Sequence, residues 1–365
     1  MTMWDWVEEY RKRAQADGDK QRLRLTEIHH EAWQFRETNS DRMIGLFLEG
    51  RHLAEQLREP WWALFFDYWR LDGMLHWKGD YRGAHEIAIQ NVLKSRTAPF
   101  AQFPLNFSIQ RELASVYLGT DPFGYENEII DALDYLEREF QPQGGQLYLL
   151  LGSRRAFAVT RDCFEEGREI SLRELALIDA DRSQSNTAHF AVYVYGSLCY
   201  IDARRGDWES LQEWTQLGEK TAQKAGHQLT ASTFIMWQAL LARQARDEPA
   251  AQRLRRRAQI LVARMNGDRD TWEALAHFHE MGGELIEAVR LRERQCQWVA
   301  SRGRLHDECS ALLERCRLLA CLGQLADADI EAVRQATTKM RAPAFYLTRL
   351  DAILRGETSR PGEHS

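Results

Sequence analysis

Residues 282–288 read Gly282-Gly283-Glu284-Leu285-Ile286-Glu287-Ala288, and this short turn recurs along the chain. Lys78-Gly79-Asp80-Tyr81 is followed by Ala84, and Arg205-Gly206-Asp207-Trp208 by Leu211. Arg246-Asp247-Glu248 is followed by Ala250 and Ala251, and Leu322-Gly323-Gln324-Leu325 by Ala328. Each copy has the same physical content. A glycine, or Asp247, ends one helix in a permissive conformation, and an acidic or polar residue starts the next. A small or apolar residue then sits where the two helices must touch. Second helices of such pairs are expected to start near 40, 80, 124, 163, 207, 247, 283 and 324, a mean spacing of about 41 residues. That regularity predicts an all-α fold, a solenoid of about eight antiparallel helix pairs, over the alternative of several unrelated bundles.

The rest of the chain agrees with this pattern. Apolar residues recur at helical spacing, as in Leu133, Leu136 and Phe140, or Val289, Cys296 and Val299. Only 8 of 365 residues are proline, and all except Pro361 fall at predicted joints, where a missing N–H does least harm. Hydrophobic residues are 44% and charged residues 28%, enough to bury a large core and too apolar for a disordered chain. A formal net charge of −6 argues against a general nucleic-acid binder.

No stretch approaches the 18 or so uncharged apolar residues of a membrane span; the richest, Trp61 to Trp69, contains Asp67. Met1-Thr2-Met3-Trp4-Asp5-Trp6 lacks a basic segment followed by an apolar run, so no secretory leader is expected. The six cysteines, Cys163, Cys199, Cys296, Cys309, Cys316 and Cys321, form no CxxC and are expected to be reduced, packed thiols in a cytoplasmic protein. The expected organisation is a repeat array over 1–341, in which 1–19 form an N-terminal cap helix. A C-terminal capping helix at 342–355 and a polar, mobile tail at 356–365 follow.

The residues resemble the tetratricopeptide-repeat superfamily. The best unit runs Trp272, Leu275 and Ala276, then Gly283, Leu285 and Ala288, and Gly79-Asp80-Tyr81 with Ala84 matches the turn half. The likeness extends over roughly residues 20 to 341. The spacing departs from the usual 34 residues by about one helical turn per helix, as in long bacterial-type repeats. What the resemblance implies is a right-handed superhelix whose first helices line a concave face. Such a face binds a peptide or a partner protein and has no chemistry of its own. No separate DNA-binding or enzymatic module is visible, so the activities of longer repeat-containing regulators do not carry over.

On that implied face, polar and aromatic residues at helical spacing are the binding candidates. Trp69 and His76 share one helix; Arg111 and Arg155 interrupt apolar first helices; His189, Tyr193 and Tyr200 form a stripe. Trp237 joins them, and Glu273, His277 and Glu280 form a further stripe. Trp69 sits among Trp61, Trp62, Phe65 and Phe66, which also suits a core position.

Catalytic and metal signatures are absent from the sequence pattern. His277 and His279 lie about 200° apart on a helix, and His29-His30 has the same defect. Cys309 and Cys316 are about 10 Å apart along an axis, too far for one zinc. There is no P-loop, dinucleotide fingerprint or nucleophile elbow. Pairs such as Glu165-Glu166 fit helix-face salt links better than acid–base catalysis.

No enzyme activity, cofactor or metal is therefore expected. The leading expectation is a protein- or peptide-binding scaffold or adaptor. The second is a ligand- or peptide-gated regulatory module. A third, nucleic-acid binding, would use Arg253-Leu254-Arg255-Arg256-Arg257 with Arg243, Arg246, Arg264 and Arg269 nearby.

Overall fold

The computed structural model describes residues 3–36, 38–100, 102–181, 187–263 and 272–357 (of Leu229 and Ala263, the backbone alone). Within these residues the chain is all-α, with eighteen α-helices, one π-helical turn and no strand. Helix α1 (Met3–Ala16) is followed by the pairs α2 (Lys20–Trp33) and α3 (Ser40–Gln56), then α4 (Pro60–Asp72) and α5 (Tyr81–Ser95). Next come α6 (Asn106–Thr120) with α7 (Glu126–Phe140), and α8 (Gly145–Thr160) with α9 (Phe164–Ala180). They are followed by α10 (Thr187–Arg205) with α11 (Trp208–Ala225), and α12 (Gln228–Gln244) with α13 (Glu248–Ala263). The last pairs are α14 (Trp272–Met281) with α15 (Leu285–Arg302), and α16 (Leu305–Cys321) with α17 (Asp327–Thr337), before α18 (Ala344–Leu354). The sequence-predicted Arg264 and Arg269, and the tail beyond 357, lie outside the described residues.

The second helices begin where the turns predicted. Several start on an aspartate whose carboxylate accepts a backbone N–H of the first turn: Asp80 from Gly83 at 3.2 Å, Asp207 from Ser210 at 3.1 Å and Asp247 from Ala250 at 3.0 Å. The turn at 246–247 differs in detail from expectation. Arg246, not Asp247, takes the left-handed position with φ 61°, which leaves Asp247 free to cap. Arg58 and Asp162 occupy the same left-handed region at other joints (φ 57° and 60°), so the turn geometry repeats more widely than glycine does.

Contacts gather the chain into two units, Met1–Tyr117 with Glu128–Gln141 and Arg302–Arg304, and Leu118–Asn127 with Pro142–Ser301 and Leu305–Ser365. The first unit has an aromatic core. Trp6, Trp62, Phe65, Phe66 and Trp69 pack with Phe47 and Leu46 between α1, α3 and α4. His29 is caught in it, with ring centroids 4.9 Å from Trp69, 5.2 Å from Phe65 and 5.9 Å from Phe47. Its buried Nε2 has no hydrogen-bond partner.

Burial, with His30 adding to it, lowers the His29 pKa to about 3. The unfolded chain, with an ordinary histidine pKa near 6.5, therefore binds more protons than the folded one below that pH. The contribution to stability is complete above about 6.5 and is lost progressively toward 3. At pH 5 the loss is about 2 kcal/mol. His29→Leu is expected to remove this share of the acid sensitivity, read as the difference in urea midpoint between pH 7 and pH 5. An unchanged difference would count against a neutral, buried imidazole.

In the second unit, α8 packs on α9, α10 on α11, and α12 on α13, and the first helices α8, α10, α12 and α14 also pack in series. Val192, Cys199, Phe234, Trp237, Leu240 and Phe278 form the main core there. A second cluster joins α16, α17 and α18 through Leu313, Val333, Tyr346 and Leu350. Within the same unit the C-terminal helices meet its first segment. The Asp121 carboxylate accepts the backbone N–H of Arg341 at 2.5 Å and of Ala342 at 3.2 Å. Phe123 stacks on Phe345 at 4.1 Å, and Arg349 pairs with Asp162.

Candidate functional site

Packing the first helices side by side brings together residues about one repeat apart. Arg155 reaches Ser197, His189 reaches His227, and Arg317 reaches Glu280, at sequence separations of 42, 38 and 37. In the second unit a charged cluster draws on α10, α14 and α16, with α10 two repeats before α14. Tyr200 and Arg204 come from α10, Glu273, His277 and Glu280 from α14, and Glu314 and Arg317 from α16. Arg317 forks onto Glu280 with bonds of 2.7 and 2.8 Å and also reaches Glu314 at 3.1 Å.

The electrostatics are divided. Burial disfavours ionised Glu314, but Arg317, Arg292 and Arg204 outweigh it and hold the carboxyl at about 2. Burial, and next Arg292, push His277 down to about 3, so it is neutral and its 3.9 Å contacts with Glu273 and Glu280 are not ion pairs. Burial and the nearby Glu273 raise the Tyr200 hydroxyl. Burial opposes the Arg204 charge, yet Tyr200, Glu314 and Glu273 raise its pKa overall. Among the described residues no hydrogen bond or ion pair holds the Arg204 guanidinium. Tyr200, Arg204, Glu273 and Glu314 all keep some contact with solvent.

The remaining sequence candidates divide by environment. Tyr193 is 45% exposed and lies against His189 and against His227, which precedes α12 and has no signal in the sequence. Four candidates are interior, contrary to a groove position: Trp69, Trp237, Arg155 and the His277 of the charged cluster. Trp69 packs against His29 and Trp33, and Trp237 lies in the second unit's core. Arg155 is buried in an ion pair with Glu174, and its Nε donates to Ser197 at 3.0 Å. Spacing of i, i+4 and i+7 says which residues share a face; it does not say whether the next repeat covers that face.

His76 and Arg111 meet in the first unit, where Asp72, Glu112 and Tyr68 join them. His76 Nε2 lies 3.2 Å from Glu112 Oε2 and 4.0 Å from Asp72 Oδ1, while Arg111 pairs with Glu112 Oε1. Burial opposes charge on His76, but Glu112 and Asp72 raise its pKa. Burial pushes Asp72 up to about 6 against the pull of His76. Burial also disfavours ionised Glu112, but Arg111 and His76 hold it at about 2. Asp72 and Glu112 were missed in the sequence. The available signals were the i, i+4 spacing of Asp72 to His76 and the one-repeat spacing of His76 to Glu112.

The arginine run on α13 does not form one basic face. Arg253, Arg256 and Arg257 line an open cavity of about 540 Å³ with Gln223, Gln228 and Ile260. Arg257 is paired with Glu219, and Arg255 lies over the Phe278 ring. Arg243 turns inward to the Phe278 carbonyl at 2.7 Å and to Glu248.

Burial raises the thiol pKa values of Cys296 and Cys309 to about 12 and of Cys316 to about 11, so they stay protonated at neutral pH. No helix among the described residues is long and apolar enough to cross a membrane. No protein-family model and no curated protein matches the chain, so the geometry of these clusters carries the functional reading alone.

Proposed function

We propose that the chain is a non-enzymatic scaffold or adaptor. In this reading it is a right-handed α-solenoid of the tetratricopeptide-repeat type that binds a peptide segment or partner protein through its first-helix face. The observation that carries the reading is the cluster on α10, α14 and α16, in which Arg317 bridges Glu280 and Glu314 and the charges of Arg204, Glu273 and Glu314 act on Tyr200. An aromatic ring, two carboxylates and a guanidinium with no ion pair among the described residues suit a polar peptide with charges of both signs. The protonated thiols give no support to a cysteine nucleophile.

The test is capture from a native lysate followed by measured affinity for the captured partner. Arg204→Glu and Tyr200→Ala are each expected to weaken binding at least tenfold, while Arg253→Glu on α13 leaves it unchanged. Binding that survives both substitutions and fails with Arg253→Glu would place the interface on the α13 arginines, as the nucleic-acid reading requires.

A second reading, a ligand-gated module, is favoured by one observation. In the second unit, Asp121, Phe123 and Asp162 hold residues 341–349 through two backbone hydrogen bonds, a ring stack and an ion pair. Contacts of this kind can close and release without disturbing the helices themselves. Solution scattering that shows no compaction across a broad peptide and metabolite set counts against it.

A further inference from the structure

We propose that Asp72, His76 and Glu112 form a binding site for one divalent transition-metal ion in the first unit. One ligand atom from each lies within 4.8 Å of the other two. The site stands independently of the partner-binding reading, which rests on the second unit.

Three features build it. The first is backbone geometry. Helix α4 runs into a π-helical turn at Gly73–Lys78 before the left-handed Gly79. The widened turn carries His76 four residues beyond Asp72, with its Nε2 facing both carboxylates. Single π turns of this kind are frequent at functional sites because they re-aim a side chain.

The second feature is the anchored carboxylate. Glu112 is fully buried on α6, and its two oxygens are divided in role. Oε1 takes the Arg111 guanidinium, and Oε2 is left facing His76. A hydrogen-bonded outer partner that orients a ligating carboxylate is a common feature of metal sites.

The third is access and fit. His76 is 41% exposed at its side chain, so an ion can reach the cluster from solvent. An ion bound at about 2.0–2.2 Å to its ligands in tetrahedral geometry spaces those ligands by about 3.4 Å. The present spacings are 3.2 Å and 4.0 Å to His76, with all three donor atoms within 4.8 Å of one another, so the carboxylates must draw in by side-chain rotation to meet that requirement.

The donor set decides the class of ion. One imidazole nitrogen and two carboxylate oxygens suit zinc or manganese, whereas magnesium and calcium take oxygen donors. Three protein ligands also leave positions for water or for a donor atom of a bound molecule.

The full chain, stripped with a chelator and dialysed, is titrated with Zn²⁺ by calorimetry and with Mn²⁺ by loss of the free-ion paramagnetic resonance signal. One equivalent of at least one ion is expected to bind saturably and to raise the melting temperature. His76→Gln, which alters a partly exposed side chain and leaves the buried carboxylates in place, is expected to weaken that binding at least tenfold. Tyr193→Ala, in the other unit, serves as a control and is expected to bind as the parent does. Failure of both ions to bind, or equal binding by His76→Gln, overturns the proposal and leaves Asp72, His76, Arg111 and Glu112 as a salt-linked network.

Discussion

Arg155→Met is expected to lower stability by about 3–5 kcal/mol, because it leaves a carboxylate without its partner in the interior. The two side chains are 7% and 2% exposed, and they form an ion pair between α8 and α9. Burial already pushes Glu174 up to about 7 against the pull of Arg155. The sign of the pH effect follows. A carboxyl whose folded pKa lies above its unfolded value is best tolerated when protonated, so its stabilising share is present at low pH and is lost as pH rises through about 7.

Removing Arg155 lifts the Glu174 pKa further. The deficit of the single variant should therefore be largest above pH 7 and should shrink toward pH 5. The double variant Arg155→Met, Glu174→Leu is expected to recover most of the loss, since apolar replacements of a buried pair are often neutral or stabilising. Urea denaturation of the parent, both single variants and the double variant at pH 5 and pH 8 closes the cycle. A deficit below about 1 kcal/mol for Arg155→Met, or a double variant as unstable as that single one, contradicts a buried, mutually dependent pair.

The second large effect is at Gly218 on α11. A Cβ placed there lands 2.7 Å from Phe234 Cδ1, and Phe234 on α12 is itself 1% exposed. Two effects oppose each other in Gly218→Ala. Helix propensity favours alanine by about 1 kcal/mol. Overpacking against this buried ring costs about 1–3 kcal/mol. The clash is expected to win, so Gly218→Ala destabilises and Gly218→Leu does not fold.

Gly45 on α3 is the internal control, since a Cβ there meets nothing within 4 Å. Gly45→Ala should stabilise by up to about 1 kcal/mol. Combining Gly218→Ala with Phe234→Leu should restore part of the loss. Melting curves of the four variants decide the matter. If Gly45→Ala and Gly218→Ala shift in the same upward direction, close helix approach is not what holds α11 against α12.

These two sites mark the boundary of what local sequence conveys. Gly218 has no turn to signal its role, and only the proximity of Phe234 reveals it. The turns, by contrast, are read from adjacent residues. The last second helix was expected near 324 and starts at Asp327, and the first was expected near 40 and starts at Ser40. The joints at Pro60 and near 163 follow from the sequence, but the left-handed conformations of Arg58 and Asp162 have no glycine to signal them. The left-handed region is uncommon for arginine and more accessible to aspartate, so residue type alone does not announce it.

The site candidates divide in the same way. His76, Arg111, Tyr200, Glu273 and Glu280 join charged clusters, His277 joins one as a buried neutral ring, and Trp69, Trp237 and Arg155 are interior. Trp69 and His76 stand seven residues apart on the expected helix, yet one is core and the other faces Glu112. The π-helical turn that separates them changes the angular step per residue, so a constant helical period no longer applies.

The sequence alone therefore determined that the chain is helical, where its helices pair and where the second helix of each pair starts. Those features depend on caps, turns and periodicity within a few neighbouring residues. Only the tertiary structure decided which aromatic rings are core and which charges find partners. It alone joined Asp72 and His76 to Glu112, and α10 to α14 and α16. Such groups meet across one repeat or more, and their energies depend on burial and on the neighbouring helix, neither of which local spacing specifies.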